Sequence, residues 1–295
     1  MLRTTGTGDQ LSNSNRDANQ IFNAQKAAMA GMQSRNVMKE DFGMEIPVEV
    51  VPLPSQGKIY PEGTSIHNCE TLEIKAMTAR EEDILTSRAL IKKGTVISEL
   101  LRSCLIDKSI NVDAMISGDR NALMTAIRIT GYGADYQVEV TCPECGESSK
   151  QEFNLAELPI KRLEIQPIEE GANRFSFTLP VSKKNVVFRF LTGADEQNIS
   201  IEQDRKKKKK LSGDVDSLVT NRLLYSIVSV DGVDGRNKIS MFVRHMPARD
   251  SRMLRKFMDD NEPGVEMKAW MECSNCLESS EVGLPIGVSF FWPDS

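Results

Sequence analysis

The chain has 295 residues, 40% of them hydrophobic, and a formal net charge of −5 at pH 7. This length is enough to bury one large core or two ordinary ones. No apolar run reaches the roughly 20 residues of a membrane span, so we expect no membrane partner. The acidic balance gives no general attraction to nucleic acid, and such a role would need a local basic patch.

The first 43 residues are expected to form an N-terminal arm that is flexible or bound to a partner. Residues 1–18 are mostly Gly, Thr, Asn, Ser, Asp and Gln, with too few large apolar side chains to offset the entropy cost of ordering. Residues 19–38 carry a modest apolar stripe, which is typical of a helix that orders on a partner. The start of the chain has no apolar leader, which predicts synthesis in the cytoplasm.

Residues 44–165 are predicted to form the first of two related parts. Thr78 and Glu81 have the spacing of a capping box, in which a hydroxyl and a carboxylate satisfy free backbone amides at a helix start. A later helix is predicted to begin with Asp119 as its N-cap and to end at Gly131. Cys104 lies on the apolar face of the helix between them and is interpreted as a small buried hydrophobe.

Two cysteine pairs share the same spacing and the same following residues. Cys142 and Cys145 lie in CPECGESS, and Cys273 and Cys276 lie in CSNCLESS. Four thiolates are the ligand set of a closed tetrahedral zinc site, so the pattern predicts one structural Zn²⁺ held by all four, with iron as the alternative metal. A redox function would instead need a low-pKa cysteine and no metal. CSNCL lacks the proline and glycine of CPECG, so the second turn is expected to be looser.

The segments that precede the two cysteine pairs follow one another in the same order. The matching pairs are TLEIKAMTAREEDI with NVVFRFLTGADEQNI, LLRSCLID with LLYSIVSVD, and DRNALMTAI with DSRMLRKFM. A succession of elements repeated once predicts an α+β protein of two tandem halves, with residues 166–295 as the second. One cysteine pair from each half would then meet across a pseudo-twofold axis and share the metal. Chance similarity of generic amphipathic segments is the alternative.

Two other segments have a distinctive composition. Arg205–Lys210 is a run of six basic residues, and a solvated helix end or loop is favoured over a phosphate-binding patch. Residues 288–293, VSFFWP, are apolar and either complete the core or contact a partner.

The sequence carries no signature of the common enzyme classes. It lacks the glycine-rich nucleotide motifs and the GxSxG of serine hydrolases, and neither His67 nor His245 lies in a zinc-hydrolase pattern. We therefore predict no catalytic residue.

Four segments of the first half carry a family resemblance: LPSQGKIYP (53–61), TAREEDILTSRALIKKG (78–94), LLRSCLIDKSINVDAMISGDRNALMTAIRITGYG (100–133) and VEVTCPECG (138–146). On these segments, residues 50–160 resemble the baseplate hub proteins of T-even-like contractile-tailed bacteriophages. The resemblance implies a non-enzymatic structural or assembly protein of the virion's tail baseplate, made in the host cytoplasm.

With the zinc prediction, this resemblance gives a zinc-stabilised adaptor in the baseplate hub. Its partners would be other baseplate and tail proteins, met through the N-terminal arm and the apolar C-terminus. Two alternatives stay open: a transient tail assembly chaperone that leaves the virion, and a nucleic-acid-binding zinc protein that uses Arg205–Lys210.

Overall fold

The structure, a computed structural model, describes residues 46–208 and 218–292, and side chains are described outside 206–208. Two predictions fall largely outside these residues: the N-terminal arm 1–43 and the side chains of the basic run beyond Arg205. Backbone contacts divide the chain into a unit of Met1–Val50, described only from residue 46, and a unit of Val51–Ser295. Strand β1 (Val48–Pro52) begins in the first of these. The division into repeats at 44–165 and 166–295 stays a prediction.

Eight helices occur in the described part of the second unit. They are α1 (Ala79–Thr86), α2 (Arg88–Lys93), α3 (Val96–Cys104), α4 (Ser117–Tyr132), α5 (Gly193–Lys208), α6 (Leu218–Ser226), α7 (Arg236–His245) and α8 (Ala248–Asn261). None of the described helices combines the length and the apolar character that a bilayer crossing requires.

The strands of the second unit are short and antiparallel. They are β2 (Thr71–Lys75), β3 (Asp135–Thr141), β4 (Ser148–Asn154), β5 (Ile160–Lys161), β6 (Phe175–Thr178), β7 (Asn185–Phe188), β8 (Ile227–Val230), β9 (Gly264–Val265), β10 (Lys268–Glu272) and β11 (Ser279–Gly283). Strands β6, β7 and β8 form one sheet, while β3 pairs with β4, β5 with β9, and β10 with β11. The mixture of helices and small sheets confirms the predicted combination of α and β elements.

The start of α1 shows why this sequence begins a helix here. The Thr78 amide and hydroxyl donate to Oε2 of Glu81, at 3.0 and 2.6 Å, which forms the predicted capping box. Lys75 Nζ and the Ser103 hydroxyl donate to the other carboxylate oxygen, at 2.7 and 2.5 Å. Burial raises the pKa of Glu81, but these hydrogen bonds outweigh it and lower the pKa to about 2.

The start of α5 repeats this arrangement. The Thr192 amide and hydroxyl donate to Oδ2 of Asp195, at 2.9 and 2.7 Å. A basic side chain three residues before the threonine again binds the acid, since Arg189 contacts both carboxylate oxygens, at 2.8 and 2.7 Å. Both helix starts are therefore fixed by a threonine, an acid and a preceding cation at the same spacing.

The first turn of α4 differs from the sequence prediction. The helix begins at Ser117 with Ile116 as its N-cap, so the prediction that Asp119 is the N-cap is wrong. The fully buried Asp119 carboxylate instead accepts from the Ser55 amide at 2.9 Å, the Ser55 hydroxyl at 2.5 Å and the Tyr60 hydroxyl at 2.6 Å. Burial raises the pKa of Asp119. This carboxylate holds the loop that follows β1 against the helix.

Helix α8 uses an acid at the same position in its first turn. It begins after Pro247, and its third residue, Asp250, accepts from the Val181 amide at 2.7 Å and the Ser182 amide at 2.9 Å. Asp119 is likewise the third residue of its helix. In both cases the acid binds the loop that follows a Leu-Pro pair.

Buried apolar side chains from both predicted halves belong to one core. The C-terminal Phe290 and Phe291 are fully buried in it. Arg128 donates to the Phe290 carbonyl at 3.1 Å and so ties the terminal segment to α4. Residues 288–293 are predicted either to complete the core or to contact a partner, and the two phenylalanines complete the core.

Segments of the two predicted halves also approach closely near the start of α4. Ile160 in β5 pairs with Val265 in β9. A Cβ at Gly118 would lie 1.7 Å from the Pro263 carbonyl oxygen, so only glycine fits at this crossing.

Candidate metal centre

Each cysteine pair lies in the turn of a two-stranded hairpin. Strands β3 and β4 pair up to Thr141 opposite Ser148, and β10 and β11 pair up to Glu272 opposite Ser279. One face of each hairpin carries buried apolar side chains, including Val140 in the first hairpin. The strands therefore place the two turns on a rigid frame.

Backbone hydrogen bonds shape the first turn. The Cys142 amide donates to the Glu147 carbonyl at 2.9 Å, and the Gly146 amide donates back to the Cys142 carbonyl at 2.9 Å. Gly146 has φ 75°, in the left-handed region where glycine carries no steric penalty.

The second turn has the same two bonds. The Cys273 amide donates to the Glu278 carbonyl at 3.0 Å, and the Leu277 amide donates to the Cys273 carbonyl at 2.9 Å. Leu277 has φ 61°, so a side chain occupies the left-handed position that glycine takes in the first turn. The expectation of a looser second turn is therefore wrong, because the backbone keeps the same bonds at the cost of strain.

The two turns bring all four cysteine sulfurs together. The Sγ atoms of Cys142 and Cys276 are 3.8 Å apart, those of Cys145 and Cys273 are 3.6 Å apart, and all four lie within 4.8 Å of one another. A tetrahedron with metal–sulfur bonds of about 2.3 Å has sulfur–sulfur edges of about 3.8 Å. These separations are far longer than a disulfide bond, and all four cysteines are free thiols.

The surroundings of the sulfurs are partly buried and supply hydrogen-bond donors. Cys142 and Cys273 are buried, Cys276 is intermediate and Cys145 is exposed. The Asn275 side-chain amide donates to the sulfur of Cys145 at 3.7 Å. Donors aimed at sulfur stabilise the thiolate, which is the form that binds metal.

The four thiols lie so close together that they cannot all ionise easily, because neighbouring thiolates repel one another. The backbone amides of Cys276 and Asn275 lower the pKa of Cys273 to about 7. The Glu278 amide also favours the thiolate of Cys276, but desolvation and the neighbouring thiols raise its pKa to about 12. A cation at the centre would remove this conflict, so the four cysteines form a possible metal site.

The other residues with candidate chemistry are placed as structural groups. Cys104 is fully buried, and burial raises its pKa to about 12, as expected for an inert core thiol. His67 Nδ1 lies 2.6 Å from the Tyr60 carbonyl oxygen, and His245 Nδ1 lies 2.8 Å from that of Met241. Arg205 is exposed near the end of α5.

One part of the site was missed at the sequence level. Strands β3 and β11 line an open cleft that Pro143, next to Cys142 in the chain, also lines, with Glu139 and Glu281 on its two walls. The alternation of polar and apolar residues in each hairpin predicts a solvent face, but it does not show which strands from distant segments come together.

The family of the chain follows from comparison with known proteins. A family model described as T4 bacteriophage base plate protein matches residues 46–292. No curated protein and no solved structure shows a significant match. The matched range covers more than half of the chain and includes both cysteine pairs. The chain therefore belongs to the T4 bacteriophage base plate protein family.

Proposed function

We propose that the protein is an adaptor in the hub of a contractile-tail baseplate, and that one Zn²⁺ bound by Cys142, Cys145, Cys273 and Cys276 fixes the arrangement of its two halves. Family membership indicates a structural protein of a phage baseplate, located in the virion tail and in contact with other tail or baseplate proteins. The hub position, the adaptor role and the zinc go beyond what membership indicates.

The observation that carries the proposal is the convergence of four sulfurs from hairpins far apart in the chain. Residues 146–272 separate the second cysteine from the third, yet the four ligand atoms lie within 4.8 Å. The spacing fits a tetrahedral ion, and an all-thiolate set of four is typical of structural zinc. When bound, zinc supplies structural cross-linking, and its binding free energy becomes folding free energy.

Recurring local structures support the proposal of two tandem halves. The threonine and acid at the start of α1 recur at the start of α5, and the first-turn acid of α4 recurs in α8. The cysteine turn follows as the third matching feature in the same order. Three corresponding features in sequence are more than generic amphipathic segments would produce.

A structural role also accounts for the buried acids. Asp119 and Asp250 tie loops to helices, while Glu81 and Asp195 cap helix starts. Each of these four carboxylates therefore has hydrogen-bond partners within the fold that account for its position, and the adaptor needs no catalytic group.

The metal part of the proposal is tested by the metal content of the purified full-length protein. We expect one zinc per chain, and loss of that zinc when Cys142 is changed to serine. The matched control is Cys69→Ser, because the Cys69 sulfur lies 2.9 Å from the Thr71 carbonyl and a serine hydroxyl can make the same contact. Equal zinc content in all three proteins, or none in any, would contradict the proposal.

The hub part is tested by quantitative mass spectrometry of purified phage particles. A fixed, small copy number relative to a tail protein of known stoichiometry is expected of a baseplate component. Absence from particles, with abundant protein in infected cells, would replace the adaptor by a transient assembly chaperone.

A further inference from the structure

The cleft between the two hairpins has an unusual construction. It has a volume of about 360 Å³ and is lined by residues 139–141 of β3 on one wall and by residues 281–283 of β11 on the other. Pro143 and Pro285 also line it, each just beyond the end of its strand. The cleft lies on the hairpin frame and does not use the sulfur atoms.

Both walls of the cleft are free strand edges within the described residues. Strand β3 pairs only with β4, and β11 only with β10, in that part of the chain. In an antiparallel ladder, alternate residues direct both backbone groups to the partner strand, and the residues between them direct theirs outward. The backbone hydrogen bonds from Cys142 to Glu147 and from Cys273 to Glu278 show which residues direct their backbone groups to the partner strand.

Counting along each strand from these hydrogen-bonded positions identifies the residues whose backbone groups point away from the partner strand. In β3 they include Glu139 and Thr141, and in β11 they include Glu281 and Gly283. All four of these residues line the cleft, together with Val140 and Val282, which lie between them in the strands. The amide and carbonyl groups on the two walls are therefore available to an added strand.

The hairpins are also the acidic part of the molecule. Residues 135–154 carry five carboxylates and one lysine, and residues 268–283 carry three carboxylates and one lysine. The whole chain is much closer to balance, with 42 acidic and 37 basic residues. Glu139 and Glu281 are exposed, so their charge faces an approaching partner. Lys268 lies 3.6 Å from Glu281 in an exposed ion pair, which is weak enough for a basic side chain of a partner to replace.

We propose that this cleft binds an extended, lysine- or arginine-bearing segment of a partner protein, which adds as a strand to the free edge of β3. The edge of β3 is the longer of the two, at seven residues against five in β11. Main-chain hydrogen bonds would supply affinity, and the carboxylates of Glu139 and Glu281 would select for basic side chains. The segment must be extended because only a strand matches the spacing of the edge groups.

The test uses the full-length protein as purified and a fluorescent peptide that alternates valine and lysine. Saturable binding that weakens as ionic strength rises is expected. Two control peptides separate the contributions of charge and backbone. Glutamate in place of lysine should abolish binding, and N-methylation of alternate backbone amides should abolish it while every charge is kept.

The matched protein variants have the same net charge. The double variant Glu139→Gln with Glu281→Gln removes the two cleft carboxylates and should weaken binding about fivefold or more. The control, Glu152→Gln with Glu278→Gln, removes two carboxylates from the same hairpins outside the cleft and should change affinity much less. Measured zinc content should be the same in both variants, so a failure here is distinct from a failure of the metal proposal.

Three results of the peptide-binding experiments would overturn the inference. They are absence of saturable binding, equal affinity of the two double variants for the peptide, and equal binding of the N-methylated peptide. If the protein self-associates and only the cleft variant prevents this, the cleft is an interface between copies of the chain and the proposed basic segment is not its occupant.

Discussion

The two cysteine hairpins have the same backbone arrangement but carry different side chains. Both turns are closed by the same pair of backbone hydrogen bonds, and both place one residue at positive φ. That residue is Gly146 in the first turn and Leu277, which is 83% exposed, in the second. Three residues before the first cysteine of each pair, Glu139 in the first hairpin corresponds to Trp270, 70% exposed, in the second.

This difference separates what the clustering of the four sulfurs requires from what it leaves free. The positions of the sulfurs depend on backbone hydrogen bonds and strand pairing, so side chains that point to solvent can change without moving a sulfur. Leu277 has a strained backbone and an exposed side chain, so we expect it to contribute nothing to the stability of the fold. The comparison predicts that losing a ligand from either hairpin has a large effect, while exchanging Gly146 and Leu277 has a small one.

The largest expected effect is the loss of one ligand from either side of the site. Cys142→Ser and Cys273→Ser should each lower the free energy of unfolding by at least about 3 kcal/mol, because metal binding contributes to folding. Chemical denaturation with and without a strong chelator measures this. The variants should resemble each other, and the chelator should destabilise only the wild type. A large loss on one side alone would break the equivalence of the hairpins.

The buried acids of α4 and α8 extend the comparison to the rest of each predicted half. Asp119→Ala leaves buried donors from Ser55 and Tyr60 unpaired and should cost about 3 kcal/mol. Asp250→Ala loses two backbone donors near the surface of its loop and should cost less. Urea unfolding of both variants tests the order, and a larger loss at Asp250 would contradict it.

The capping acid Glu81 gives a pH-dependent prediction. Its pKa is about 2 in the folded protein, lowered from 4.5, so it stabilises the fold above about pH 4.5 and this contribution is lost as the pH falls toward 2. Glu81→Gln should cost about 2 kcal/mol at neutral pH through its hydrogen bonds to Lys75 and Ser103.

Thermal unfolding as a function of pH measures the Glu81 effect. The gap between wild type and Glu81→Gln should narrow through the window between pH 4.5 and 2. The control is Glu82→Gln, in the same turn but outside the capping box. A gap that stays constant with pH would show that the charge of Glu81 contributes nothing.

The smallest expected effect comes from exchanging the residues at positive φ. Leu277→Gly should raise the free energy of unfolding by about 1 kcal/mol, because it removes left-handed strain at an exposed position. Gly146→Leu should lower it by a similar amount. Equal metal content in both variants is the control. Destabilisation by Leu277→Gly would show that Leu277 makes a favourable contact in the folded protein.

Local sequence patterns predicted the local features of this fold well. The capping box of Thr78 and Glu81 and the burial of Cys104 depend on nearby residues, and both are confirmed. The four cysteines were selected by chemistry and spacing, and the structure brings them together.

Features that depend on tertiary contacts were harder to predict. Aspartate is a common N-cap residue, but the carboxylate of Asp119 accepts hydrogen bonds from Ser55 and Tyr60 of a buried loop instead of capping the helix. Leu277 has no intrinsic preference for positive φ, and the hydrogen-bonded cysteine turn imposes it. The cleft depends on two strands from distant segments, so no single stretch of sequence reports it.

The most direct test of the central claim is X-ray absorption spectroscopy of the purified full-length protein at the zinc edge. The account predicts one zinc per chain with four sulfur ligands at about 2.3 Å. Such a result would require both hairpins to contribute to a single ion. A first shell of two sulfurs with nitrogen or oxygen ligands, or a metal-free protein of unchanged stability, would contradict it.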